Sequence, residues 1–274
     1  MRHSNLPMIG AALGLDALQR HRDWLLAGQR DVELQCFHDA AVLDGDIAPV
    51  VARARALLDG HEGRLGIHGP FWGFRLDSHD PEIRAVVQRR LLQGLAAAQA
   101  VGATQMVVHS PVTTWDHNGH HANPAERARQ FARVHETLRP VVARAADAGI
   151  VLVIENIEDK DPHARVELAR SFGSDAVGVS LDTGHAHYAH MSTGAPPVDA
   201  YVHAAGDLLA HVHVQDNDGF ADRHWHPGEG SIHWRAVFAA LARLPQAPRL
   251  VLEVKDQEGL MAGARYLEGL GIAA

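Results

Sequence analysis

About eight times along this chain, a short strand-like run gives way to an amphipathic segment with helical spacing of its apolar residues. This alternation restricts the fold more than any other feature. Consecutive parallel strands need long crossovers, and a helix is the usual one. The strands read Met8–Ala11, Val32–Cys36, Leu65–His68, Gln105–His109, Ile150–Glu155, Val177–Asp182, Leu208–His213 and Arg249–Glu253. Asp80-Pro81 reads as a helix start, an N-cap acid before proline at the first helical position. Ile83, Val87, Leu91, Leu95 and Ala98 then share one face. Asn123-Pro124-Ala125-Glu126 reads as a second cap with a reciprocal glutamate. Its helix carries a stripe of Phe131, Val134, Leu138, Val141, Val142 and Ala145, and Gly149 ends it. An open doubly wound sheet would want a glycine-rich phosphate loop after its first strand, and Gly10-Ala11-Ala12-Leu13-Gly14 is not one. The expectation is a single (β/α)8 barrel domain over residues 1–274, a length suited to that fold.

Composition narrows the partners. No Pro/Gly/Ser linker divides the chain, and its apolar runs are far shorter than a membrane span. Met1 to Gly14 lacks a basic-then-apolar signal layout, and the single cysteine, Cys36, fits a reducing cytoplasm. The formal charge of −8 argues weakly against nucleic acid or an anionic membrane. Histidine abundance alone proves nothing: of 21 histidines, most, including His21, His61, His135 and His163, read as solvated surface.

The chemistry concentrates where the strands end. Barrel strands point alternate side chains inward, and barrel active sites sit at the strands' C-terminal ends. By that parity His68, His109, Glu155, Asp182, His213 and Glu253 arrive one per strand, from the third strand to the eighth, at the same mouth. His211 shares the parity of His213 one layer deeper, as a core or supporting residue, and Glu33 stays unassigned because its register is open. Loops add His185 after the sixth strand, and Asp222 and His224 after the seventh. Imidazole and carboxylate groups are costly to gather unless a cation holds them, so these nine residues predict a divalent metal site. Trp72, Phe71 and Trp225 lie in loops over the mouth, either to pack a sugar face or simply to anchor their loops. Lys255 shares the parity of Glu253 and either meets a substrate oxygen or is solvated; His117, His120 and His121 read as a hydrated loop tip.

From Leu65 to Glu253 the chain resembles the xylose isomerase-like TIM barrel superfamily, which holds sugar phosphate isomerases and epimerases together with endonuclease IV. The resemblance is carried by Ile67-His68-Gly69-Pro70-Phe71, Val108-His109-Ser110-Pro111, Ile154-Glu155-Asn156 and Leu181-Asp182-Thr183-Gly184-His185-Ala186. It continues through His213-Val214-Gln215-Asp216, Asp222-Arg223-His224, Gly228-Glu229-Gly230 and Leu252-Glu253. Similarity to endonuclease IV implies one metal on His68, His109 and Glu155, a second on Glu155, Asp182, His213 and Glu253, and a third on His185, Asp222 and His224. The sugar epimerases of the superfamily imply a single metal on the second set. Between one and three divalent ions, zinc or manganese foremost, are therefore expected.

Two reactions compete. Isomerisation or epimerisation of a small sugar, phosphorylated or not, needs proton transfer beside a carbonyl held by the metal, with Glu155 and Glu253 as base and acid or merely as ligands. Phosphodiester hydrolysis uses clustered metals, and a full set of nine ligands leans that way. Charge favours the first. Across the loops after the strands the only cations are Arg75, Lys160, Arg223 and Lys255, and Phe37 to Asp46 holds three aspartates and no lysine or arginine. DNA binding draws on several basic contacts to phosphate, so a carbohydrate-like substrate is expected and nucleic acid is not.

Overall fold

Strands apolar on both faces must be covered on both, and here helices cover the outside of a closed sheet. A computed structural model describes residues 6–73 and 75–274. Met1 to Asn5, part of the stretch read above for a signal, lie outside the described residues. Eight parallel strands close a barrel in sequence order: β1 Gly10–Leu13, β2 Val32–Leu34, β3 Leu65–His68, β4 Gln105–His109, β5 Val151–Glu155, β6 Val177–Asp182, β7 Leu209–Val214 and β8 Arg249–Leu252. The helices between them are α1 Leu15–Gly28, α2 Ala40–Asp44, α3 Ala48–Leu57, α4 Pro81–Val101, α5 Thr114–Ala122, α6 Pro124–Ala148, α7 Pro162–Ser171, α8 Thr183–Thr193, α9 Val198–Ala205, α10 Trp234–Leu241 and α11 Met261–Gly269. No helix among the described residues is long and apolar enough to cross a membrane.

Four local expectations need correction. Asp80 caps α4 as expected, accepting from the Glu82 amide. Val87, Leu91, Leu95 and Ala98 are buried, each leucine contributing about 2 kcal/mol, but Ile83, in the first turn of α4, is 47% exposed. Asn123 makes no side-chain cap; Glu126 pairs instead with Arg129 and Arg133. The capping box lies ten residues earlier, where Thr113 and Asp116 satisfy each other's amides and start α5. The segment of His117, His120 and His121 is therefore a helix rather than a loop tip. His21 is also not solvated: it is buried, with Nε2 2.7 Å from the Gln257 carbonyl.

The register decides which side chains enter the barrel. Glu33 pairs with Ala12 and Gly66, and thereby points inward. Between β6 and β7 the register slips by one residue after Val179, so that Ser180 faces His211 and Asp182 faces His213. Such irregularities re-aim side chains next to functional sites.

Candidate metal centre

The mouth of the barrel brings together all nine residues picked out at the strand ends. Within each of three groups, one ligand atom per residue lies within 4.8 Å of the others: His68, His109 and Glu155; Glu155, Asp182, His213 and Glu253; and His185, Asp222 and His224. Glu155 belongs to two of them.

In the first group, His109 Nε2 is 3.4 Å from His68 Nε2, and Glu155 Oε2 lies 3.6 Å from the His109 nitrogen and 3.7 Å from the His68 nitrogen. His68 Nδ1 donates to the Gly69 carbonyl at 2.8 Å, which leaves its Nε2 lone pair facing the group. The third group repeats the device. His185 Nδ1 donates to the Asn156 carbonyl at 2.9 Å and His224 Nδ1 to the Glu253 carbonyl at 3.0 Å. Their Nε2 atoms lie 3.5 and 3.2 Å from Asp222 Oδ2. His224 adopts a left-handed backbone, φ 52°, a strained choice for a residue with a side chain and one that aims its ring inward. In the second group, His213 Nδ1 lies 2.7 Å from Glu155 and 3.4 Å from Glu253.

Supporting residues hold these ligands. Asp182 Oδ1 accepts the His185 amide at 2.6 Å, capping α8, and the Gln215 side chain at 3.0 Å. Asn156 clamps the Asp182 backbone from both sides. Gln35 donates to Glu253 at 2.5 Å. Phe71 stacks on His109 with ring centroids 4.3 Å apart. The loop after β7 hangs on Asp216, whose carboxylate accepts from the amides of Asn217, Gly228 and Ile232 and from the Trp234 indole. None of Asn156, Gln35 or Glu33 was assigned a site role from the sequence. Only the opposite residues in the barrel reveal their partners, and a short strand such as β2 carries no readable parity.

Two buried oxygens, Glu155 Oε2 and Asp182 Oδ2, have no hydrogen-bond partner among the described residues. An unpaired buried carboxylate oxygen costs kilocalories, and a cation is the partner that this donor set suits. The residues therefore fit a divalent ion. Electrostatics agree. Burial alone would raise Glu155, but His213, His68 and His109 hold it well below the usual carboxylate range. Burial and the facing Glu155 raise Glu253 against the pull of His213 and His224. Burial would lower His224, but Asp222 and Glu253 lift it to about 9. Carboxylates thus draw protons onto His68, His185, His213 and His224, and those are the protons an ion would displace. They do not draw one onto His109, which burial lowers to about 3.

The remaining predicted residues sit round the rim. Trp72 is 67% exposed and packs on Phe71. Trp225 lies under the Arg223 guanidinium, and its backbone pairs with Asp216. Lys255 is exposed, with Nζ 3.5 Å from the Asp222 carbonyl.

A family model for the xylose isomerase-like TIM barrel matches residues 12–270. The chain belongs to the xylose isomerase-like TIM barrel family. Within that family, an uncharacterised protein of Methanocaldococcus jannaschii is 24% identical over 212 residues, 73% of this chain and 67% of that one. The D-psicose 3-epimerase of Agrobacterium fabrum is 27% identical over 139 residues, 48% of this chain and only 45% of the epimerase. The solved structure of a Thermus thermophilus protein soaked with zinc chloride superposes with a TM-score of 0.74 and 29% identity, covering 96% of this chain and 97% of its own. The relatives of this xylose isomerase-like barrel thus include a sugar epimerase.

Proposed function

We propose that this chain is a divalent-metal-dependent isomerase or epimerase of a small sugar or sugar-like substrate. The observation that carries the reading is the pair Glu155 and Glu253 in one ligand group with Asp182 and His213, at a mouth where the two arginines, Arg75 and Arg223, are already paired with carboxylates. Arg75 is held by Asp77 and Asp116, Arg223 by Asp218, and the Lys255 ammonium lies by the Asp222 carbonyl. Little positive charge is left for a phosphate backbone, whereas hydroxyls and carbonyls suit an acidic, imidazole-lined mouth.

Asp182, His213, Glu155 and Glu253 would hold the ion, with His68, His109, His185, Asp222 and His224 as further ligands. A bound ion supplies a Lewis acid that polarises a substrate carbonyl and so acidifies the neighbouring C–H. Glu155 and Glu253 then act as the proton-transferring pair. Trp72 and Trp225 would bound the sugar and Lys255 would meet a substrate oxygen. Zinc suits the two histidine-rich groups and manganese the carboxylate-rich one. One barrel domain over residues 1–274, in the reducing cytoplasm that a single cysteine suits, completes the proposal.

The second reading, an endonuclease IV-like phosphodiesterase, is favoured by one observation: all three ligand groups form. One experiment separates them. The metal-loaded protein is incubated with a ketose panel in deuterated water, and with abasic-site duplex DNA, each with and without chelator. Chelator-sensitive deuterium incorporation into a ketose, abolished by Glu253→Gln, is expected. Nicking of the DNA at low enzyme with no exchange on any ketose would overturn the assignment.

A further inference from the structure

A fourth group of potential ligands, Glu33, His211 and His213, lies under the mouth and is buried throughout. It shares His213 with the second group, so that ring faces carboxylates with both nitrogens. Nδ1 looks up toward Glu155 and Glu253, and Nε2 looks down, 3.0 Å from Glu33 Oε1. His211 is anchored separately: its Nδ1 is 2.9 Å from the Ser180 hydroxyl. Its Nε2 is 3.1 Å from Glu33 Oε2 but off the direction of a hydrogen bond.

A neutral imidazole carries one proton on one of two nitrogens. For His213 to offer Nδ1 to a cation, that proton must sit on Nε2. The ring is wholly buried, and Glu33 is the group aligned to accept there. Were Glu33 absent, an Nε2–H would be buried without an acceptor, while an Nδ1–H would still find Glu155 at 2.7 Å. The balance would then tip to the tautomer that cannot ligate. A carboxylate acceptor also raises the basicity of the opposite nitrogen.

Resting on the proposed metal centre, we infer that Glu33 is a positioning residue: it selects the Nε2–H tautomer of His213 and thereby delivers Nδ1 to the ion. Its inward place on β2 follows from register with Ala12 and Gly66, not from any ligand role of its own.

The test uses zinc as the probe and the full chain. Zinc affinity is measured by chelator competition for the wild type, Glu33→Ala, Glu33→Gln and Ser180→Ala. The histidine tautomers of zinc-loaded, ¹⁵N-labelled protein are read by long-range ¹H–¹⁵N correlation. Glu33→Ala should weaken zinc by about 10–100-fold, the range for loss of such a partner. Glu33→Gln keeps an acceptor oxygen and should lose less, with the His213 Nε2–H signature retained. Ser180→Ala, which touches only His211, should stay close to wild type. Should Glu33→Ala not fold, Glu33→Gln and Ser180→Ala still decide: weaker zinc in Glu33→Gln than in Ser180→Ala supports the inference, and equal affinities in the two overturn it. Zinc binding unaltered in Glu33→Ala, with His213 still protonated at Nε2, does so as well. A wild type that takes up no zinc overturns the metal centre itself, and this inference with it.

Discussion

Glu155 stands apart among the ligands because its two oxygens face different groups, Oε2 toward His68 and His109 and Oε1 toward His213. Side chains confined to one group affect that group alone unless their neighbours are shared. Glu155→Gln should therefore lower metal content at two positions, whereas Asp222→Asn should lower it at the His185–His224 position only. Elemental analysis after dialysis against dilute chelator reads this directly. Equal losses from the two variants would contradict the shared role. Turnover should fall with Glu155→Gln by about a thousandfold or more, since a proton-transfer group and a ligand are removed together.

Among the elements, the segment after β7 supplies two of the three members of one candidate ligand group. It carries Asp222 and His224, and Asp216 is its fastening, with four donors converging on one buried carboxylate. Gly230 lies against this knot: a Cβ there would stand 2.2 Å from the Asn217 carbonyl oxygen, a backbone atom that cannot swing away. Asp216→Ala leaves four donors short of their acceptor and should cost about 3 kcal/mol or more. Gly230→Ala should loosen the same loop by overpacking. Denaturant titration measures the first, and limited proteolysis between residues 217 and 232 measures both. A stability loss for Asp216→Ala below about 1 kcal/mol would refute the fastening.

For the molecule as a whole, a buried carboxylate away from the ligand groups sets a dependence of stability on pH. Asp159, in the segment after β5, is buried; burial lifts it to about 6 against the opposing influence of Arg165 and Ser110. Its folded value lies above its unfolded one. Its contribution is therefore complete below about pH 4 and is lost as pH rises through about 6. Relative to Asp159→Asn, the wild type should lose up to about 3 kcal/mol of unfolding free energy between pH 4 and pH 7. Urea melts of the two proteins across that range check the sign, and a wild type that gains stability relative to Asp159→Asn as pH rises would contradict it.

The order of strands, the barrel and the six strand-end groups were legible in the sequence because each rests on periodicity and parity within a single element. A strand that ends on Glu155 or Asp182 announces both its length and its inward side. What could not be read from one strand was the pairing between strands. Glu33 meets His213, 180 residues away, only through the closure of β2 and β7 around a common interior. The one-residue slip after Val179 has no local signature, yet it sets His213 opposite Asp182. Likewise Asn123 precedes α6 without a side-chain cap, since Glu126 found arginines, while Thr113 and Asp116 cap the separate helix α5 by satisfying each other's amides. Side-chain type and spacing told which imidazole and carboxylate groups the chain brings to the strand ends. Long-range register decided which of those groups touch, since hydrogen bonds and ion pairs depend on distances that only the closed barrel imposes.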